Sequence, residues 1–514
     1  MSYLDTIRRL GNDAEQLEIN YQHAVRTGQA EDFAGAIETS YAEASDNLLY
    51  AAWHYRLAHV ATRARDRVIA WAWALPLGLV NGLLLWLISD DQRFTIQVTN
   101  PLTGREYDIL PAVVLLAAPI SASLIALFLS LAGERRWARP LAVLLGLVAA
   151  SAYVLLAFPM IWPRVFQEQF LTLMVLHLLL LAWTGVGLVA LMRSFAAGQR
   201  FAFLVKSLEA FVVAGLLAIA GGLFTAITFG LFDALGVNMP NAVVRLFLAG
   251  GGGLIAVIAV ALVYDPAVPP LQQSFDEGLS KLIALLMRLL LPLSILVLLV
   301  YLGFIPFNFR EPFENRDVLI IFNAMLFAVL ALLVGATPVK ATDLSERMQT
   351  WLRRGVIALA ALALVVSLYA LAAIVYRTTI DRLTPNRLTF IGWNLVNIGI
   401  LAWLLFRQWQ AGRARWLPVL QGTFAAGTVP YVIWTVAMLL VLPWAFRGRP
   451  AEVANLPERI QQVVYEKPDP ILLKCASPHI YLLEHGQKRW IKDIDTFWGG
   501  RRYRRDIFRF HGGY

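Results

Sequence analysis

The chain has 514 residues, of which 58% are hydrophobic and 15% charged, and its mean hydropathy is +0.61. Soluble domains carry roughly 25% charged residues, so this composition excludes an ordinary water-soluble globule. The net charge of +9 sits mostly on Lys and Arg in short loops between apolar runs, which points to topology control and anionic lipid headgroups rather than to nucleic acid.

Residues 1–66 predict a soluble helical hairpin. Apolar residues recur at helical spacing in Leu4, Ile7, Leu17, Tyr21 and Ala24, then in Phe33, Ile37, Tyr41, Leu48, Ala52, Tyr55 and Ala58. Thr27-Gly28-Gln29 breaks the pattern, and Arg63, Arg65 and Arg67 close it. The N-terminal stretch is polar and has no apolar core of the kind a cleavable signal needs, so insertion is expected to start at the first membrane helix. The hairpin suits packing on a membrane surface or docking a partner.

From residue 67 to 446 apolar runs of bilayer length recur about eleven times. The predicted spans are Val68–Ile88, Leu110–Leu131, Pro140–Trp162, Phe170–Met192, Leu208–Phe232 and Ala242–Tyr264. They continue with Lys281–Phe304, Val318–Val339, Gly355–Tyr376, Leu388–Phe406 and Thr423–Phe446. The Gly-rich stretches at Gly221-Gly222 and Gly250 to Gly253 suggest re-entrant or tightly packed segments. With the N-terminus inside, the inner loops hold Arg135, Arg136, Arg139, Arg193, Arg200, Lys206, Lys340, Arg347, Arg353, Arg354, Arg407, Arg413 and Arg415. The outer loops hold fewer, and Arg377, Arg382 and Arg387 run against the trend. The expected topology is therefore N-terminus cytoplasmic and C-terminus extracytoplasmic.

Residues 447–514 predict a separate small β-containing domain. Two alternating runs, IYLLE and KRWI, flank His485-Gly486 as a β-hairpin, which needs more strands or a docking surface to be stable. Aromatics interleave with basic residues at Arg489-Trp490, Phe497-Trp498 and Arg501-Arg502-Tyr503-Arg504-Arg505. That pattern suits an envelope polymer, a protein or lipid headgroups, and it equally suits a tiny core.

Chemistry is sparse. The single cysteine, Cys475, excludes an intrachain disulfide and a Cys-rich metal site. The sequence contains no H-E-x-x-H, no G-x-S-x-G and no phosphate-binding G-x-x-x-x-G-K-[ST], so no cofactor or metal is expected. A charged side chain at mid-bilayer is costly, which singles out Arg288 as a possible anion ligand and leaves Arg245 able to snorkel. His177, Asn323, Asn394 and Asn397 read chiefly as hydrogen-bonded packing residues. Asp90 and Asp91 follow the first span and offer an alternative acidic site, in the manner of membrane glycosyltransferases that use lipid-linked sugars.

Two stretches carry a resemblance. LLMRLLLPLSILVLLVYLGF, with Pro292 and Tyr301, and YRTTIDRLTPNRLTFIGWNL, with Arg377, Leu383, Thr384, Pro385, Asn386 and Arg387, resemble the bacterial polytopic membrane family called domain of unknown function 4153 over about residues 280–406. Where that family carries Tyr-Gly before the Leu-Thr-Pro-Asn-Arg run, this chain has Asp381-Arg382. The resemblance implies a multi-pass plasma-membrane protein with no settled activity. The tail residues Tyr481-Leu482-Leu483-Glu484, Gly486, Lys488-Arg489-Trp490-Ile491 and Phe497 are similar to a small module of bacterial envelope proteins, which implies an outer location and no catalysis.

Read physically, Pro385 turns the chain at Thr384, and Thr384 is placed to cap the helix that follows. Arg377 and Arg387 then sit at headgroup level, where guanidinium forks match phosphate oxygens; Thr384 and Asn386 complete the candidate ligand set. Three functions stay open: transport or sensing of an envelope-related anionic lipid, lipid-linked-sugar transfer, and a non-catalytic scaffold.

Overall fold

The computed structural model describes the chain apart from residues 1–2, 11–12, 27–28, 64–68, 101–103, 134–136, 276–277, 315, 341–343, 381–382, 414, 449–457, 467–470, 475–478, 485–486, 492–506 and 510–514. Cys475, His485-Gly486, Phe497-Trp498 and the 501–505 arginine run thus lie outside the described residues. The chain divides into two compact units, Met1–Ile69 and Ala70–Tyr514.

The first unit contains four helices rather than the two expected: α1 (Tyr3–Arg9), α2 (Ala14–Arg26), α3 (Ala30–Glu43) and α4 (Leu48–Arg63). Periodicity missed two breaks because capping side chains make them. Asp13 Oδ1 accepts from the Gln16 amide at 3.1 Å and starts α2. Asn47 Oδ1 accepts from the Leu49 and Tyr50 amides at 2.9 and 3.3 Å and starts α4. Ile7, Leu17, Phe33, Ile37 and Trp53 form a buried core of the unit's own, so its apolar faces are satisfied internally. Arg56 pairs with Glu18 and lies 4.4 Å over the Trp53 ring; its hydrogen bond holds the Glu18 carboxyl below the usual range.

The second unit opens with α5 (Trp71–Ile88), a β-hairpin of β1 (Thr95–Thr99) and β2 (Glu106–Pro111), then α6 (Ala112–Ala132), α7 (Ala138–Ala157), α8 (Arg164–Ala190) and α9 (Ala197–Ala234). Next, α10 (Asn241–Arg245) runs through a π turn, Leu246–Gly250, into α11 (Gly251–Val263). Then come α12 (Gly278–Phe304), the short α13 (Glu311–Glu314), α14 (Arg316–Ala336), α15 (Glu346–Ile380), α16 (Pro385–Ala411) and α17 (Trp416–Ala445). Among the described residues, ten helices are long and apolar enough to cross a membrane, so the chain is an all-α polytopic membrane protein. The eighth expected span is α14, 21 residues long and apolar along Ile321–Ala336. The strand hairpin between α5 and α6 was not anticipated.

Large apolar side chains cover the outside of this unit, as hydrocarbon solvent requires: Phe211 is 78% exposed and Ile219 71%. Small residues let two helix backbones approach closely. Gly82 of α5 meets Gly250 and Gly253, and a Cβ added at Gly253 would lie 2.8 Å from the Gly82 Cα. The Gly-rich sixth span is therefore tightly packed, and its π turn lies in this contact.

The C-terminal segment supplies α18 (Glu458–Glu466) and a four-stranded sheet of β3 (Ile471–Lys474), β4 (Ile480–Glu484), β5 (Gln487–Ile491) and β6 (Ile507–Arg509), in the order β5-β4-β3-β6. The expected hairpin is β4–β5, with Glu484 opposite Gln487. Its extra strands are β3, antiparallel to β4, and β6, parallel to β3. Docking comes from α18. Tyr465 is buried against Trp162 at 4.8 Å between rings and donates to Gln167 Oε1 at 3.3 Å, and the Tyr107 hydroxyl donates to Glu466 Oε1 at 3.1 Å. Burial pushes the Tyr465 phenol up to about 12, so it remains a donor at neutral pH.

That docking counts the crossings. The loop after α5, carrying Tyr107, and the segment after α17, carrying Glu466, meet at one end of the bundle. An even number of crossings must separate them. Nine of the ten long apolar spans follow that loop, so α14 must cross as well, which makes ten crossings after the loop and eleven in all.

Candidate functional site

The turn between α15 and α16 is built as the sequence implied. Thr384 is the N-cap of α16, its hydroxyl accepting from the Arg387 amide at 3.2 Å, and Pro385 takes the first helical position. The Asn386 amide faces Gln169 Oε1 of α8 at 3.5 Å. Proline has no amide hydrogen, so the first-turn donors of α16 are already engaged. The helix end therefore offers no free first-turn amide, and among the described residues the cations of the turn are the guanidinium groups of Arg377 and Arg387. Arg377 lies in the last turn of α15 and Arg387 in the first turn of α16, both half-buried at the same end of the bundle as Gln169. Residues 381–382 of the turn lie outside the described residues.

The other sequence candidates have internal partners. Arg288 of α12 donates through Nε to the Ala336 carbonyl at 3.3 Å, the last residue of α14. Gln421 of α17 donates to the Pro338 and Val339 carbonyls at 2.8 and 2.9 Å. Together they satisfy backbone acceptors where α14 ends, and a cation suits a helix C-terminus. Asp90 faces Arg245 at 3.3 Å and Arg93 at 3.9 Å. Arg245 is thus explained as the Asp90 partner across α5 and α10. Asp91 is exposed, and its carbonyl accepts from the Thr95 hydroxyl. Among the described residues, no group of three His, Cys, Asp or Glu side chains is arranged to hold a metal.

Two buried polar groups carry more than the sequence disclosed. Lys206 and Glu209 on α9 are 3% and 4% exposed. Lys206 Nζ lies 2.6 Å from Glu209 Oε2 and 3.0 Å from Ser280 Oγ, and it donates to the Ser274 carbonyl; Ser280 in turn donates to Glu209 at 2.7 Å. Sequence reasoning placed Lys206 in an inner loop because it began the span at Leu208; the opposite charges three residues apart were the available signal.

The second group lies among α8, α14, α16 and α17. Asn394 of α16 donates to Asn323 of α14 at 2.7 Å, and Tyr431 of α17 donates to Asn397 Oδ1. Trp434 Nε1 donates to the Thr389 carbonyl at 3.3 Å. His177, Thr389, Trp393, Asn394 and Asn397 are all at most 1% exposed. The expectation of interhelical hydrogen bonding therefore holds for the asparagines.

No family model matches the chain, and no curated protein or solved structure matches it.

Proposed function

We propose that this chain is a multi-pass protein of a bacterial plasma membrane that binds an anionic lipid headgroup at the α15–α16 turn and moves or senses that lipid. The observation that carries this reading is the turn itself. A capped, proline-fixed corner at one end of two membrane-length helices carries Arg377 and Arg387, at the level that headgroups would occupy on this reading. Guanidinium suits a phosphate oxygen pair in a way that a lysine ammonium does not. The N-terminus is assigned to the cytoplasm and the tail to the outside on the arginine bias of the loops. The partial resemblance to the domain of unknown function 4153 family agrees with that placement.

The transferase alternative draws less support, because the Asp90 carboxylate is committed to Arg245 and Arg93. A metal there would have to displace two guanidinium groups. The scaffold alternative predicts no lipid selectivity at the turn.

The test is co-purified lipid, quantified by mass spectrometry for the parent and for Arg377→Gln/Arg387→Gln at matched abundance. Several-fold less anionic lipid is expected with the double variant, and a smaller loss with Arg387→Lys. Equal recovery from all three would sink the reading. Asp90→Asn/Asp91→Asn is expected to retain the cellular role at normal abundance; complete loss would favour the transferase.

A further inference from the structure

We propose that the middle of the bundle contains a binding site for a neutral hydroxyl group, centred on His177 and Trp393 with Asn397 beside them. His177 of α8 is fully buried, and its Nδ1 lies 2.7 Å from the Leu173 carbonyl. A carbonyl only accepts, so Nδ1 carries the proton and Nε2 of the neutral ring is a bare acceptor. Nε2 is buried with no hydrogen-bond partner among the described residues. Nδ1 is turned to the backbone of α8, and the imidazole packs 5.8 Å from the Trp393 ring, centroid to centroid.

Trp393 of α16 is likewise fully buried, and its Nε1, which can only donate, also has no partner among the described residues. One turn on, Asn397 uses its Oδ1 to accept from Tyr431 and leaves Nδ2 buried without a partner among the described residues. Phe327 and Tyr431 close the aromatic wall, 5.6 and 5.0 Å from Trp393. Native interiors rarely strand such groups, and three in one cluster demand a complement.

The inventory of one acceptor and two donors selects the ligand. A hydroxyl donates to Nε2 and accepts from an N–H. An ammonium cannot accept, and a carboxylate or phosphodiester cannot donate. A metal cation at Nε2 would face two N–H dipoles pointing at it. The side chains named are all uncharged, so nothing compensates an ion. A neutral hydroxyl fits, whether from water or from a polyol or glycerol-like solute. This site is independent of the α15–α16 turn and stands if lipid binding there fails.

The full chain in lipid nanodiscs provides the test. A high-resolution density map should show a non-protein peak about 2.7–3.2 Å from both His177 Nε2 and Trp393 Nε1. Absence of that peak overturns the proposal. Trp393 is then replaced by its benzothienyl analogue, which removes the N–H and keeps the shape. A melting temperature lowered by several degrees is expected; an unchanged or raised one means that the indole N–H had no ligand and overturns it as well. Native mass spectrometry separates the sources. A solute adduct lost in His177→Leu identifies a hydroxylated solute, whereas a peak in the map with no adduct identifies water.

Discussion

Gly392 illustrates how much one missing methyl decides. A Cβ there would lie 1.8 Å from Trp434 Cζ2, inside the ring that donates to Thr389. Gly392→Ala should therefore push α16 and α17 apart at a cost of about 1–3 kcal/mol or more. Gly399 on the same helix has nothing within 4 Å of its own Cβ position, so Gly399→Ala should be silent or slightly stabilising. Melting curves of both variants in detergent check the contrast. The buried pair on α9 gives a second residue-scale prediction. Glu209→Gln leaves the Lys206 charge without its counter-ion and should cost about 3–5 kcal/mol, whereas Lys206→Met/Glu209→Leu should be close to neutral. A larger loss in the double variant would refute that account. Neither position was conspicuous in the sequence. A glycine in an apolar run has many meanings, and Lys206 sits near a loop by any hydropathy rule. What distinguishes both is the neighbour they meet, which lies on another helix. By contrast, Thr384 and Pro385 were legible because a cap and a first-turn proline act on residues three positions away or fewer.

At the scale of elements, length and hydropathy located the spans because hydrocarbon imposes one requirement on every helix, that its backbone be satisfied internally. The C-terminal end of α14 is completed by other helices, where Arg288 and Gln421 supply donors to the Ala336, Pro338 and Val339 carbonyls. Gln421→Leu should strand the Pro338 and Val339 carbonyls, at roughly 1–3 kcal/mol for buried acceptors. Amide exchange should quicken at the end of α14 while the α15–α16 pair stays protected. Uniform exchange across both would contradict the assignment. Short-range capping explains the two extra breaks in the first unit in the same way. Asp13 and Asn47 were visible in the sequence, but the long apolar periodicity around them read as continuous helix.

For the whole molecule, the tail acts as a marker of sidedness. Its α18 rests on residues from the loops after α5 and α7 and on the start of α8, so the three report one side of the membrane together. Cys475 is the single thiol of the chain. If the arginine bias is read correctly, a membrane-impermeant maleimide should label it in intact cells, with a denatured sample as control for reactivity. Labelling only after lysis would invert every loop at once. The sequence reached eleven crossings by hydropathy, and the docked tail reaches the same number by parity.

The length of α9 has a mechanical consequence. At 1.5 Å per residue its 38 residues reach about 57 Å, nearly twice the ~30 Å of hydrocarbon. The Lys206–Glu209 network ties its first third to Ser280 at the start of α12. The remainder, residues 210–234, is about 37 Å of mostly exposed helix, longer than the ~30 Å of hydrocarbon, a mismatch met by tilting or by local thickening of the bilayer. Phe224 and Phe229 of this stretch pack on Phe247 of the π turn, so a bilayer of another thickness would pull on that packing while the ionic anchor holds the other end.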